Sequence, residues 1–129
     1  MICLDSDILI GHLRQNSDAL KFIQEHESEG LVTTIITKFE LLIGAKISKK
    51  RVGNLTKVRD LIARLPSLDF SSEEIEECSD IYSELQNAGT MVDMRDIFIG
   101  GSCRRFKVPL ATRNLDHFNR IDGLEVIQW

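Results

Sequence analysis

The feature that most restricts this chain is the order in which two kinds of apolar pattern alternate. Runs of strand type occur in "MICLD" (1–5), "LVTTII" (31–36), "PSLDF" (66–70), "VPLATRN" (108–114) and "LEVIQW" (124–129), separated by stretches with helical spacing. Parallel strands cannot be joined by tight turns and need crossover connections, usually helices. The alternation therefore predicts an α/β fold, a three-layer sandwich with a mostly parallel central sheet flanked by helices. A chain of 129 residues fits one domain spanning 1–129 around one core. No repeat, low-complexity tract or interdomain linker is visible.

Local signals place the helices. "SDILIGHLRQ" (6–15) follows the first strand with helical spacing, and Asn16 or Ser17 caps a second helix in "DALKFIQEHES" (18–28) that Gly30 stops. Thr37 and Glu40 have the spacing of a capping box, in which a hydroxyl and a carboxylate satisfy each other's backbone N–H groups. "VGNLTKVRDLIARL" (52–65) is helical and halts at Pro66. "SSEEIEECSDIYSELQNAG" (71–89) is a helix capped by Ser71 or Ser72 and closed by Gly89. "RDIFIGGSCRRFK" (95–107) is helical despite Gly100 and Gly101, which cost on the order of 1 kcal/mol each in a helix. That cost points to close packing, and "IGGSC" is not a phosphate loop.

Composition excludes several classes. With 43% hydrophobic and 28% charged residues the chain is of ordinary globular type. Its apolar runs are far shorter than the roughly 18–20 residues that span a bilayer, and it opens with no basic leader, so a cytoplasmic protein is expected. Cys3, Cys78 and Cys103 are widely spaced without a CxxC pair and are expected as buried free thiols. A net charge of −4 argues against nonspecific coating of nucleic acid. The charges are nonetheless segregated. No acid occurs from Leu41 to Arg59, where Lys46, Lys49, Lys50 and Arg51 form a basic block, and Arg104, Arg105, Lys107 and Arg113 form another. The acid run Asp69, Glu73, Glu74, Glu76, Glu77 and Asp80 reads as a solvated helical face.

In sheets of this kind, ligands gather at the carboxyl ends of the strands. Asp5 ends the first strand, Glu40 lies just after the second, Asn114 and Asp116 follow "PLAT", and Asp96, with Asp93 behind it, opens the helix leading into that strand. Taken singly, each acid could be a cap or a turn residue. Together at one edge they repel one another, which raises pKa values or demands a cation. Hard oxygen donors with few histidines favour Mg²⁺ or Mn²⁺ over zinc, and the matching reaction is phosphodiester hydrolysis.

These stretches resemble the sequence blocks of PIN-domain ribonucleases. "CLDSDILI" (3–10) is similar to that family's opening "hhDTNhhh", where h is apolar. "TTIITKFELLIGA" (33–45) resembles its second block, "MVDMRDIFIGGSC" (91–103) its third, and "PLATRNLDHFNRIDGLEVI" (109–127) its closing "hhTxNxxxFxxhxGhxh". The blocks run nearly end to end in the family's order, and the length suits the VapC-like toxins of toxin–antitoxin modules. The resemblance implies a metal-dependent endoribonuclease with Asp5, Glu40 and Asp96 as ligands of Mg²⁺ or Mn²⁺. The fourth catalytic position is open between Asn114, which matches the family's pattern, and Asp116, the nearby acid. Ser6, Asp7, Asp93 and Thr112, with Asn114, are candidates to support the carboxylates. Asp7 departs from the more usual Asn at its position. His117 matches no catalytic histidine of the family. Lys46, Lys49, Lys50, Arg51, Arg104 and Arg113 are candidate RNA contacts. A cognate antitoxin that covers an apolar groove and a homodimer are also implied.

Two other readings compete. "DSD" at 5–7 has the DxD pattern of haloacid-dehalogenase-like phosphatases, with Asp5 as nucleophile and Asp7 as acid/base, but the later acidic motif of that class is missing. A catalytically silent PIN-like module that binds RNA or protein would be marked by lost acids, whereas Asp5, Glu40 and Asp96 are all present.

Overall fold

The computed structural model describes residues 1–129. Four parallel strands form the sheet: β1 (Ile2–Leu4), β2 (Leu31–Val32), β3 (Leu110–Ala111) and β4 (Val126–Ile127), in the order β2-β1-β3-β4. Cys3 pairs with Val32 on one side and Leu110 on the other, and Ala111 pairs with Ile127. The helices are α1 (Ser6–Leu13), α2 (Ser17–His26), α3 (Ile35–Lys46), α4 (Arg51–Arg64), α5 (Ser72–Ala88), α6 (Met94–Phe106) and α7 (Leu115–Phe118). None is long and apolar enough to cross a membrane.

Strand alternation sends side chains to two cores. Cys3, Val32 and Leu110 point into a cluster with Ile81, Leu85, Ile97, Ile99, Cys103 and Phe118 from α5, α6 and α7. Ile2, Leu4 and Ala111 face the other way, against Ile8 and Leu9 of α1, Phe22 of α2, Leu41 of α3 and Val58 of α4. The three-layer α/β expectation holds. All three cysteines are free and buried. Gly101 does what its cost suggested: a Cβ there would stand 2.3 Å from Cys78 Sγ and 3.3 Å from Cys78 Cα, so its absence lets α5 lie against α6.

Several local expectations are corrected. "LVTTII" does not run on as a strand, because Thr34 adopts the extended N-cap conformation and its hydroxyl accepts the Thr37 N–H at 3.0 Å, starting α3 at Ile35. The cap satisfies a backbone donor that β-branched propensity would have left to the sheet. Thr37 and Glu40 form no capping box: the Thr37 hydroxyl bonds to that of Thr34, and Glu40 lies a turn further on. "PSLDF" contributes only a single bridge, Ser67 to Thr33. The turn of helix at α7 was not anticipated. The acid run is not simply solvated either. Glu74 is buried and accepts from the Ser71 N–H and hydroxyl, both at 2.7 Å, while Glu73 and Glu77 pair with Arg105 and Arg104 of α6.

The order β2-β1-β3-β4 has a further consequence. The connection from β1 leads outward to β2 and that from β3 outward to β4, so the chain diverges between β1 and β3. A crevice opens beyond the carboxyl ends of strands at such a switch point. Asp5 and Thr112 are the residues that follow β1 and β3 there.

Candidate active site

Asp5 leaves β1 in an extended conformation and serves as N-cap of α1, its Oδ1 accepting the Ser6 N–H at 2.8 Å. Its Oδ2 accepts the Thr112 hydroxyl at 2.7 Å across the switch point. Only 6% of Asp5 is exposed. Burial, reinforced by Asp7 and Asp96, pushes its carboxyl up to about 6 even though the Thr112 and Ser6 bonds oppose the shift.

Glu40 projects from the second turn of α3. One oxygen, Oε1, is buried without a hydrogen-bond partner, and the other lies 3.9 Å from the Arg95 guanidinium. Burial pushes its carboxyl to about 7, with Asp5, Asp96 and Asp93 adding repulsion that Arg95 partly offsets. Asp96 stands in the first turn of α6, and its Oδ2 accepts from His117 Nδ1 at 2.8 Å. Asp93 caps α6 and accepts from the backbone N–H and side chain of Arg95 at 2.9 and 3.3 Å, bonds that hold its carboxyl below the usual range.

The supporting residues fall as anticipated in part. Thr112 bridges toward both Asp5 and Asp7, and Asn114 donates its backbone N–H to the Thr112 hydroxyl at 3.0 Å while its side-chain amide lies 3.2 Å from His117 Nδ1. Ser6 contributes its backbone N–H. Asp7 accepts from the Arg113 N–H and the Trp129 indole, each at 2.8 Å, so it is committed as an acceptor.

Two site expectations are corrected. Asp116 points away, its side chain 79% exposed and paired with Arg120 one turn along, whereas the Asn114 amide lies beside His117, which bonds Asp96. Arg104 is 15% exposed, held by Glu77 and Glu84 of α5 and by the Asp122 carbonyl, and is a strut between helices with no free fork for phosphate. The Arg113 guanidinium is stacked 3.6 Å over the Trp129 ring and bonded to Asp18, with its side chain 45% exposed. Lys46 ends α3, about 9 Å along the axis from Glu40 at a rise of about 1.5 Å per residue, Lys49 and Lys50 lie in the turn that follows, and Arg51 opens α4.

Sequence reasoning did not pick out Arg95 or Trp129 and set His117 aside. Arg95, between Asp93 and Asp96, is the one signal that was available, since a base between acids at a helix start invites pairing with them. Trp129 offered none, being distant in sequence from everything it touches.

No three acidic, histidine or cysteine side chains stand close enough to chelate an ion by themselves. Mg²⁺ does not require that, because it takes one or two carboxylates and completes its octahedron with water and phosphate. The orphaned Glu40 oxygen, the raised acids and the hard-oxygen donor set fit such an ion.

The PIN domain family model matches residues 2–124. The tRNA(fMet)-specific endonuclease VapC of Salmonella typhimurium is 28% identical over 126 residues, 98% of this chain and 96% of that protein. Ribonuclease VapC2 of Haemophilus influenzae is 25% identical with the same coverages, 98% and 96%. Among solved structures, DNA-bound VapBC from Salmonella typhimurium superposes with a TM-score of 0.90 at 27% identity, covering 100% of this chain and 99% of that one. VapBC2 from Rickettsia felis, bound to a promoter DNA fragment, gives 0.89 at 25% identity over 100% and 99%.

Proposed function

This chain belongs to the PIN-domain family, and from that premise we propose that it is an endoribonuclease dependent on Mg²⁺ or Mn²⁺, the toxin of a toxin–antitoxin module acting in the cytoplasm. The observation that supports the reading is that Asp96 lies near enough to Asp5 and Glu40, and Asp5 to Glu40, to push their carboxyls up, with a buried Glu40 oxygen left unpartnered. Relatives named as ribonucleases and tRNA endonuclease support RNA as substrate.

When bound, a divalent ion supplies a water of lowered pKa and neutralises charge on the phosphodiester. The chain's own residues do the rest. Asp5 and Asp96 would hold the ion, Glu40 its water, and Thr112, Ser6 and His117 fix the two aspartates by hydrogen bonds. Arg95 is 52% exposed at the rim, where it can meet a phosphate oxygen once RNA enters.

Structural neighbours that are VapB–VapC complexes support a cognate antitoxin as partner. A groove of about 420 Å³ between α1, α3 and α4, lined by Ile10, Leu13, Leu41, Ala45 and Val58, suits its apolar segment. Exposed Ile35, Phe39, Met91 and Met94 around the acids suit burial in a homodimer.

The test is incubation of the purified chain, free of any partner, with structured RNAs in Mg²⁺, Mn²⁺ or EDTA, beside Asp5→Asn and Asp96→Asn. Cleavage that needs the ion and is lost in both variants is expected. RNA binding without cleavage in every sample would put a catalytically silent binding module in its place.

A further inference from the structure

The Thr112 hydroxyl stands between two carboxylates, 2.7 Å from Asp5 Oδ2 and 3.2 Å from Asp7 Oδ2. It has one proton, and its lone pairs already accept the Asn114 N–H at 3.0 Å. One proton cannot satisfy both acids, so the occupant of the longer contact must be satisfied from elsewhere. Asp7 is: its Oδ2 accepts the Arg113 N–H and its Oδ1 the indole N–H of Trp129, each at 2.8 Å.

The indole is half-buried and has further contacts of its own. The Arg113 guanidinium lies 3.6 Å over its ring, and Arg113 Nε donates to the Trp129 carbonyl at 3.1 Å. A Cβ on Gly11 would come within 3.2 Å of the ring, so α1 is glycine where the indole passes. Asp18 holds the guanidinium from the far side at 3.1 Å.

We propose that Trp129 is a positioning residue for the acid cluster: by donating its N–H to Asp7 it leaves the Thr112 proton to Asp5 and so fixes the carboxylate that faces ion and phosphate. The inference rests on the nuclease reading. Loss of the indole N–H leaves Asp7 Oδ1 without a donor. Asp7 then competes for the Thr112 proton, and Asp5 keeps only its bond from Ser6.

The chain contains a single tryptophan, so its fluorescence reports on this network alone. Mg²⁺ titrated into the native protein without RNA is expected to shift Trp129 emission, and Thr112→Val is expected to abolish the response while leaving the emission of a folded protein. Trp129→Phe keeps a ring beneath Arg113 but deletes the donor; kcat for RNA cleavage and Mg²⁺ affinity are expected to fall about 10–100-fold together, with KM for RNA unchanged. Adding Asp7→Asn to Trp129→Phe removes the competing charge and is expected to recover most of that loss, a coupling that a packing role would not produce. Native cleavage undiminished in Trp129→Phe, or emission indifferent to Mg²⁺, overturns the proposal. Absence of cleavage by the native protein overturns the nuclease reading instead, and the emission titration then judges the coupling by itself. If Trp129→Phe fails to fold, the native and Thr112→Val titrations decide.

Discussion

Replacing Asp5 by Asn is expected to stabilise the ion-free protein at pH 8 while abolishing its activity. The carboxyl is raised from 3.8 to about 6, chiefly by burial. A group raised in the native state binds protons there that the unfolded chain has released. Stability is therefore fullest below pH 4 and falls as pH rises through the window from 3.8 to about 6. About two pKa units correspond to about 3 kcal/mol. Asn keeps one acceptor oxygen, and the hydrogen bond it forgoes returns about 1 kcal/mol, leaving about 2 kcal/mol of net gain. For a chain of this size that is on the order of 6 °C in Tm. The assay is thermal unfolding in EDTA from pH 4 to 8 for native protein and Asp5→Asn. The difference in Tm should be small at pH 4, grow through pH 6 and level off by pH 7. Mg²⁺ at pH 8 should raise the native Tm and leave the variant's nearly unmoved. A variant that melts below the native protein at pH 8, or a difference that does not change with pH, would refute the reasoning. Glu40, raised to about 7, adds a fall in the same direction that extends to neutrality, which Glu40→Gln should remove.

Gly101→Ala should lower the urea midpoint by an amount equivalent to about 1–3 kcal/mol, because its Cβ meets Cys78 backbone as well as the Sγ. Gly100→Ala should cost less, since its closest neighbour is the movable Ile121 Cδ1 at 2.5 Å and Ala favours the helix. Arg104→Ala should lower Tm yet leave KM for RNA unchanged, its partners being Glu77 and Glu84; an unchanged Tm with a raised KM would return it to the RNA surface. Glu74 is held below its ordinary pKa by Ser71, so its stabilising bond is present above pH 4.5 and lost as pH falls below; Glu74→Gln should flatten that part of the acid unfolding curve.

What could be seen in the sequence was set by range. Asp5 as strand end, Asp93 and Asp96 at a helix start and Ser71 as a cap follow from neighbours within a few residues, and each stands where its neighbours put it. Thr34 displaced Thr37 as cap because both precede apolar residues of helical spacing and only backbone conformation decides between them. The supporting side chains were identifiable as types but not as partners. Thr112 meets Asp5 across 107 positions and Trp129 meets Asp7 across 122, separations over which no local pattern operates. Arg104 misled for the same reason, since a charge looks available until the opposite charge on another helix is placed beside it, whereas the Asp116 partner, Arg120, lies only four residues on and was open to local reading.

The divergence of the chain between β1 and β3 also orders events in time. Synthesis delivers Thr112 107 residues after Asp5, an interval of about 5–20 s at about 5–20 residues per second. Throughout it the first acid has neither its hydroxyl partner nor the neighbouring strand that defines the crevice. An acid cluster whose supports are divided between segments so far apart cannot assemble until the later one has emerged from the ribosome.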